Sequence, residues 1–162
     1  MAVRRIRAEE WRALRALRLR ALADAPDAFL MTLADVELDP DEVWQEWAER
    51  AATSERTAVF VDDDFTGMAG GHVGEGDDSD AVLFGMWVAP ERRGSGLAEA
   101  LVETVVGWAR TRGVERVVLN VVDSNTPAIR LYERCGFRDT GVRGRMRDAT
   151  NRQYALALTR PG

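Results

Sequence analysis

The residues with the most evident chemical potential lie together in Val88-Ala89-Pro90-Glu91-Arg92-Arg93-Gly94-Ser95-Gly96-Leu97-Ala98. An apolar, β-rich run leads into this stretch and an amphipathic pattern leaves it, so it reads as a strand, a Gly-rich turn and the start of a helix. Gly94 and Gly96 let backbone N–H groups approach an anion with no Cβ in the way, and a helix N-terminus adds unpaired donors and the positive end of a dipole. With Arg93 beside it, the segment is in principle a pyrophosphate cradle, although the residues alone do not name the ligand. The dinucleotide fingerprint G-x-G-x-x-G/A requires a small residue where Glu99 stands, and Glu99 would bring an acid toward the phosphates. Further along, Asn125 and Tyr132 are separated by about 700° of helical rotation and fall nearly on one line if both are helical. Equally, Asn125 can cap a helix while Tyr132 and Ile129 fill core space.

The elements that must position these residues follow from periodicity. Val3 to Ile6 reads as a short strand. Glu9 to Ala23 reads as a helix with Trp11, Leu14, Leu17 and Leu22 on its apolar side and a stripe of Arg12, Arg15 and Arg18 expected to face solvent. Pro26 and Asp27 mark a turn, and Asp39-Pro40-Asp41 marks a helix start, with Val43, Trp44, Trp47 and Ala51 at helical spacing and the two Trp assigned to the core. Thr57 to Val61 and Met68 to Val73 read as strands joined by a hairpin-like connection, Asp62 to Gly67, and a second acidic loop from Gly74 to Asp80 leads to a strand at Val82 to Val88. Neither loop fits a calcium template, because with Asp77 as position one the twelfth residue is Val88 where a bidentate Glu is needed. Both are read as solvated turns. A helix from Ser95 to Arg112 stopped by Gly113, a strand at Val117 to Val122, a helix begun by Asn125 or Thr126 with Pro127 in its first turn and ended by Gly136, and closing strands at Phe137 to Val142 and Gln153 to Leu158 complete the chain. With no linker, repeat or low-complexity segment, the expectation is one α/β (α+β) domain over residues 1–162, a mixed sheet with helices on both faces and a parallel strand-helix-strand unit.

Composition removes several chemistries. All 22 cationic side chains among the 162 residues are Arg, so a phosphate-binding P-loop lysine, a kinase strand lysine and a Schiff base are excluded. One His (His72) and one Cys (Cys135) exclude a His/Cys zinc site and a disulfide within the chain; no metal is expected. Cys135 precedes Gly136 and lacks a cationic setting, so it reads as a packing residue. No apolar run approaches the roughly 20 residues of a membrane span, and Arg4, Arg5 and Arg7 interrupt any signal-peptide core. The expected location is the cytoplasm, away from membranes. The net charge of −5 and pI of 5.0 argue against nucleic-acid binding. That charge is partitioned. Residues 1–23 carry seven Arg against two Glu, residues 24–80 carry 17 acids against two Arg, and residues 81–162 carry 13 Arg against eight acids.

Arg93 to Ala98 matches R-x-x-G-x-A, which resembles the acyl-CoA pyrophosphate loop of the GNAT superfamily of N-acetyltransferases. Asn125-Thr126-Pro127-Ala128-Ile129-Arg130-Leu131-Tyr132-Glu133-Arg134-Cys135-Gly136-Phe137 is similar to that superfamily's N-x-x-A-x-x-L-Y-x-x-x-G-F signature. The resemblance is strong over residues 82–142. It implies a GNAT-like, mostly antiparallel sheet in which one parallel strand pair splays to admit acetyl-CoA. Met86, Trp87 and Val88 would bond to the pantetheine arm like an added strand and polarise the thioester carbonyl. Arg93, Gly94, Ser95, Gly96, Leu97 and Ala98 would hold the pyrophosphate, Asn125 the arm, and Tyr132 would protonate the departing thiolate. The acceptor would be an amine of a small molecule or peptide, attacking directly in a ternary complex; a homodimer is left open. Many relatives carry Glu where this chain has Asn120, which cannot accept a proton. His72, an acid such as Glu37, and water remain the alternatives for the base. The acidic 24–80 stretch favours a cationic acceptor if its acids line the site. The competing reading, a non-catalytic acyl-CoA-binding or regulatory module, rests on Asn120.

Overall fold

The computed structural model describes residues 2–29, 31–74 and 79–158. Strands β1 (Val3–Arg5), β2 (Thr57–Asp62), β3 (Gly67–Val73), β4 (Asp80–Val88), β5 (Arg116–Val122), β6 (Arg138–Met146) and β7 (Ala149–Ala157) form one sheet in the order β1-β2-β3-β4-β5-β7-β6. Helices α1 (Trp11–Asp24), α2 (Leu33–Val36), α3 (Asp41–Thr53), α4 (Leu97–Arg110) and α5 (Thr126–Arg134) connect them. The sheet is antiparallel throughout except for β4 and β5, which run parallel. The closing hairpin is longer than the sequence pattern suggested, because residues 143–146 and 149–152, with Met146 and Ala149 their only apolar side chains, pair as a ribbon with little burial to mark them.

Alternation along β2 assigns the two faces. Ala58 and Phe60 join a core with Leu101, Val102, Val105 and Val106 of α4, whereas Val59 and Val61 join Leu14, Leu17, Trp44 and Ala48 of α1 and α3. Trp44 is core as expected; Trp11 and Trp47 are only partly covered. Arg5 ties β1 to the C-terminal end of α3, donating from Nε to Ala51 O at 2.9 Å and from Nη2 to Ser54 O at 2.6 Å, a cationic cap for carbonyls that the helix leaves unpaired. The β2–β3 turn corrects the solvated reading of its acids at one position. Asp62 is 4% exposed and accepts from the Thr66 and Gly67 N–H groups at 2.7 and 2.9 Å, so it pins the turn from inside. Part of the Gly74–Asp80 loop lies outside the described residues.

Two features shape the site. The parallel ladder between β4 and β5 extends over Asp80/Arg116, Ala81/Val117 and Val82/Val118 only, and Arg116 fastens this closed end to Asp80 at 2.7 and 3.1 Å. Beyond Val82, β4 has no strand partner on its β5 side. Against β3, Met68 faces Trp87 while Gly70 faces Phe84, so Gly85 and Met86 oppose Ala69 alone as a bulge, with Gly85 at φ +62°.

Helix α4 lies directly on β3, and the glycines of that strand permit the approach. A Cβ on Gly71 would stand 2.8 Å from Trp108 and 3.2 Å from Val105. Trp108 is 9% exposed and boxed in by the core, so it has little room to yield. Gly71→Ala is expected to lower stability by about 1–3 kcal/mol, the range for overpacking, seen as a lower urea midpoint with an unchanged m-value.

Candidate functional site: a cleft between diverging strands

Where β4 and β5 part, a cleft of about 580 Å³ opens. Leu83 to Val88 form one wall and Leu119 to Val122 the other, with Asn125 and Tyr132 of the α5 segment and the turn before α4 around the mouth. Of the residues singled out from sequence, Met86, Trp87, Val88, Arg93, Gly94, Gly96, Ala98, Asn125 and Tyr132 line this space. Ser95 and Leu97 do not. Leu97 is fully buried in the core, and the Ser95 hydroxyl donates to Arg92 O inside the turn.

The turn before α4 is built to leave donors open. Gly94 and Gly96 adopt φ of +76° and +90°, the left-handed region that glycine enters without strain. Gly96 is the N-cap and supplies no side-chain cap. The Leu97 N–H has only a long contact to Ser95 Oγ, 3.4 Å. The N–H groups of Gly94, Gly96 and Ala98 have no acceptor among the described residues. Unpaired donors at the start of a 14-residue helix make an anion site. Glu99, which could have repelled an anion, is paired to Arg134 at 2.9 Å; that bond holds its carboxyl below the usual range.

Asn125 is the N-cap of α5, as one reading of its sequence position held. Its side-chain oxygen caps α5, accepting from Ala128 N at 3.3 Å, and its amide nitrogen is left without a partner among the described residues. Tyr132 is 6% exposed, tilted against Phe137 with ring centroids 6.0 Å apart, and its hydroxyl has no protein hydrogen-bond partner among the described residues. Burial pushes its pKa up, so the phenol keeps its proton across the neutral range and is available as a donor. Cys135 is half-buried, and burial together with Glu99 and Glu103 raises its thiol. It is a packing group and not a nucleophile.

Asp24, the last residue of α1, was not legible in the sequence as a site residue. Its carboxylate accepts from Trp87 Nε1 at 2.9 Å and from Arg93 Nη2 at 2.7 Å, while Arg93 Nε reaches Val88 O at 3.3 Å. The bond from Trp87, then that from Arg93, holds Asp24 below the ordinary carboxylate range. One carboxylate thus ties α1 to β4 and the turn. Its partners lie 63 and 69 residues away, beyond any local pattern. Of the acids of residues 24–80 that were expected to attract a cation, Asp24 alone lines the cleft among the described residues. His72 lies outside it, bonded through Nδ1 to Thr57 Oγ1 at 2.7 Å on β3, and so does Glu37 at the end of α2. Asn120 is on the wall. Among the described residues no group of three or more His, Cys, Asp or Glu could hold a metal ion, and no helix is long and apolar enough to cross a membrane.

A mostly antiparallel sheet with one splayed parallel pair, opening beside the glycine turn before α4, defines the GNAT class of fold. Residues 10–137 match the Acetyltransferase (GNAT) family, and the chain belongs to that family. It is similar to the mycothiol acetyltransferase of Thermobispora bispora, 36% identical over 135 residues that cover 80% of this chain and 42% of that one, and to that of Salinispora arenicola, 35% identical over 123 residues that cover 75% and 39%. The chain therefore spans about two-fifths of the length of these curated relatives. Among solved structures, a GNAT-family acetyltransferase from Streptococcus pneumoniae superposes with a TM-score of 0.84 at 17% identity, covering 98% of this chain and 99% of that one. The yncA protein of Salmonella typhimurium, solved with its cofactor acetyl-CoA, gives 0.78 at 20% identity, covering 100% and 96%.

The Trp87–Asp24–Arg93 link carries a pH signature. Because the folded-state pKa of Asp24 is depressed, its charge contributes stability that is present above the unfolded value near 4 and is lost as the pH falls through the depressed one. Urea midpoints of wild type and Asp24→Asn are expected to differ above about pH 4 and to converge at lower pH; a constant difference would remove the charge from the account.

Proposed function

We propose that this chain is an acetyl-CoA-dependent N-acetyltransferase acting on an amine of a small molecule or peptide. The observation that carries the reading is the coincidence, in one cleft, of an unpaired β4 edge, open N–H donors before α4 and a protonated Tyr132. Family membership and the mycothiol acetyltransferase relatives support it. Acetyl-CoA supplies an activated thioester. The residues fit it: the N–H groups of Gly94, Gly96 and Ala98 would take the pyrophosphate with Arg93, and the free edge of Met86 to Val88 would accept the arm as an added strand. Ser95 would contribute through the shape of the turn and Leu97 through anchoring it in the core. The Asn125 amide would hold the arm from the α5 side.

The amine nitrogen attacks the thioester carbonyl carbon directly, a β4 N–H polarises the carbonyl oxygen, and the C–S bond breaks as the Tyr132 hydroxyl gives its proton to sulfur. Burial keeps the phenol protonated and so able to donate. With Asn120 on the wall and Asp24 committed to Trp87 and Arg93, the amine loses its proton to water. The alkaline rise of kcat/KM should then follow the pKa of whichever amine is supplied. A profile fixed across amines would indicate a protein base instead.

Two substitutions test the assignment through release of the CoA thiol and through acetyl-CoA binding. Gly96→Val puts a β-branched residue at φ +90° and closes the cradle. At least a tenfold loss of acetyl-CoA affinity, about 1.4 kcal/mol, is expected with the circular dichroism unchanged; undiminished affinity removes the cradle. Tyr132→Phe keeps the packing and is expected to lower kcat roughly 100-fold, and full activity at every pH discards the acid role. Tight binding of acetyl-CoA without turnover on any amine would favour the non-catalytic module that Asn120 suggests.

A further inference from the structure

The Arg stripe of α1, expected to face solvent, does not all do so. Arg12 is exposed and stacks on Trp11 at 4.3 Å, but Arg18 is turned inward between the rings of Phe29 and Trp47, 4.8 and 5.7 Å from their centroids. Its Nη1 is fully buried and has no hydrogen-bond partner. No carboxylate among the described residues pairs with it, and burial alone pulls its pKa down. A buried guanidinium N–H with nothing to bond is costly, and native proteins keep few of them. Its position is informative. The Nη1 atom lies 3.4 Å from where a Cβ on Gly85 would be, and Gly85 is the bulge residue on the cleft wall, directly before Met86. Glycine at the bulge leaves that atom room against the β4 backbone.

We propose that Arg18 is a specificity-determining residue that binds a carboxylate carried by the amine acceptor, so that the preferred acceptors are compact amino acids rather than simple amines. The inference rests on the acetyltransferase reading of the cleft and deepens it. Gly85 and the Met86 to Val88 edge lie within about 10 Å of each other along an extended strand. A carboxylate at Arg18 therefore leaves an amine a few bonds away within reach of the thioester. A guanidinium offers a planar fork that suits two-point recognition of a planar carboxylate. The uncharged amide analogue would leave the same N–H unpaired and be rejected.

The test compares free amino acids with their carboxamides as acceptors, reading CoA thiol release and, separately, calorimetric binding of acetyl-CoA and of each amino acid to the CoA complex. Wild type is expected to prefer the carboxylate by roughly 10- to 100-fold in kcat/KM. Arg18→Gln should abolish the preference chiefly through KM, with acetyl-CoA affinity unchanged; should it fail to fold, Arg18→Lys, which keeps the charge but not the fork, should reduce the preference. Equal use of acid and amide by wild type overturns the proposal, as does an equal loss on both in a folded variant, the mark of a merely structural cation. If no amine turns over, the acetyltransferase reading fails by itself, and binding still decides for Arg18: amino acid binding lost in Arg18→Gln supports the assignment, and no carboxylate binding in wild type overturns it.

Discussion

Everything in the site depends on how short the parallel ladder between β4 and β5 is. Parallel strands in an α/β protein ordinarily remain paired because each unpaired N–H and C=O in the interior costs free energy. Here pairing stops after Val82 and Val118, and the bulge at Gly85 and Met86 bends β4 away from the line that would continue it. The ladder between β5 and β7 runs unbroken over the same level, so the backbone cost of the opening falls on the facing edges of β4 and β5. Such an exposed edge is a template for one extended, hydrogen-bonding guest.

Two contacts hold the opening at its ends. Arg116 and Asp80 fasten the closed end, and Asp24, gripping Trp87 and Arg93 together, braces β4 and the turn before α4 against α1. The second link has a competitive character. Arg93 is the guanidinium nearest in sequence to the open N–H donors, and it is already committed to a carboxylate. An anion in the cradle would draw on the same cation, and the ionised, partly exposed Asp24 would then need Trp87 and water. An anion bound there would thus be electrostatically coupled to α1 through one side chain.

What was legible in the sequence was what short range dictates. The period-two strands, the α4 stripe and the glycines before it are local patterns, and they located the turn before α4, the α5 segment and the parallel pair. Asn125 as a cap and Tyr132 as a buried ring were likewise readable, because cap chemistry and burial follow from nearest neighbours. Asp24 and Arg18 were not. Asp24 ends a helix with no local signal, and its role exists only once the chain has brought Trp87 and Arg93 to it. Arg18 shares its spacing with Arg12, and nothing within α1 shows that Phe29 and Trp47 will enclose one guanidinium and leave the other to solvent. Asp62 shows the same limit in miniature, since an acidic run reads as solvated until a turn folds around one of its members.

The ion pairs described above all use guanidinium, as they must in a chain whose cations are all Arg. A thioester is a reactive acylating agent, and ε-amines close to a thioester site are natural targets for uncatalysed acylation. Guanidinium, always protonated, is not such a nucleophile. No side chain among these 162 residues can therefore be consumed as an unintended amine, and the charges that hold Asp24, Asp80 and Glu99 in place could not be erased by a thioester bound in the same cleft.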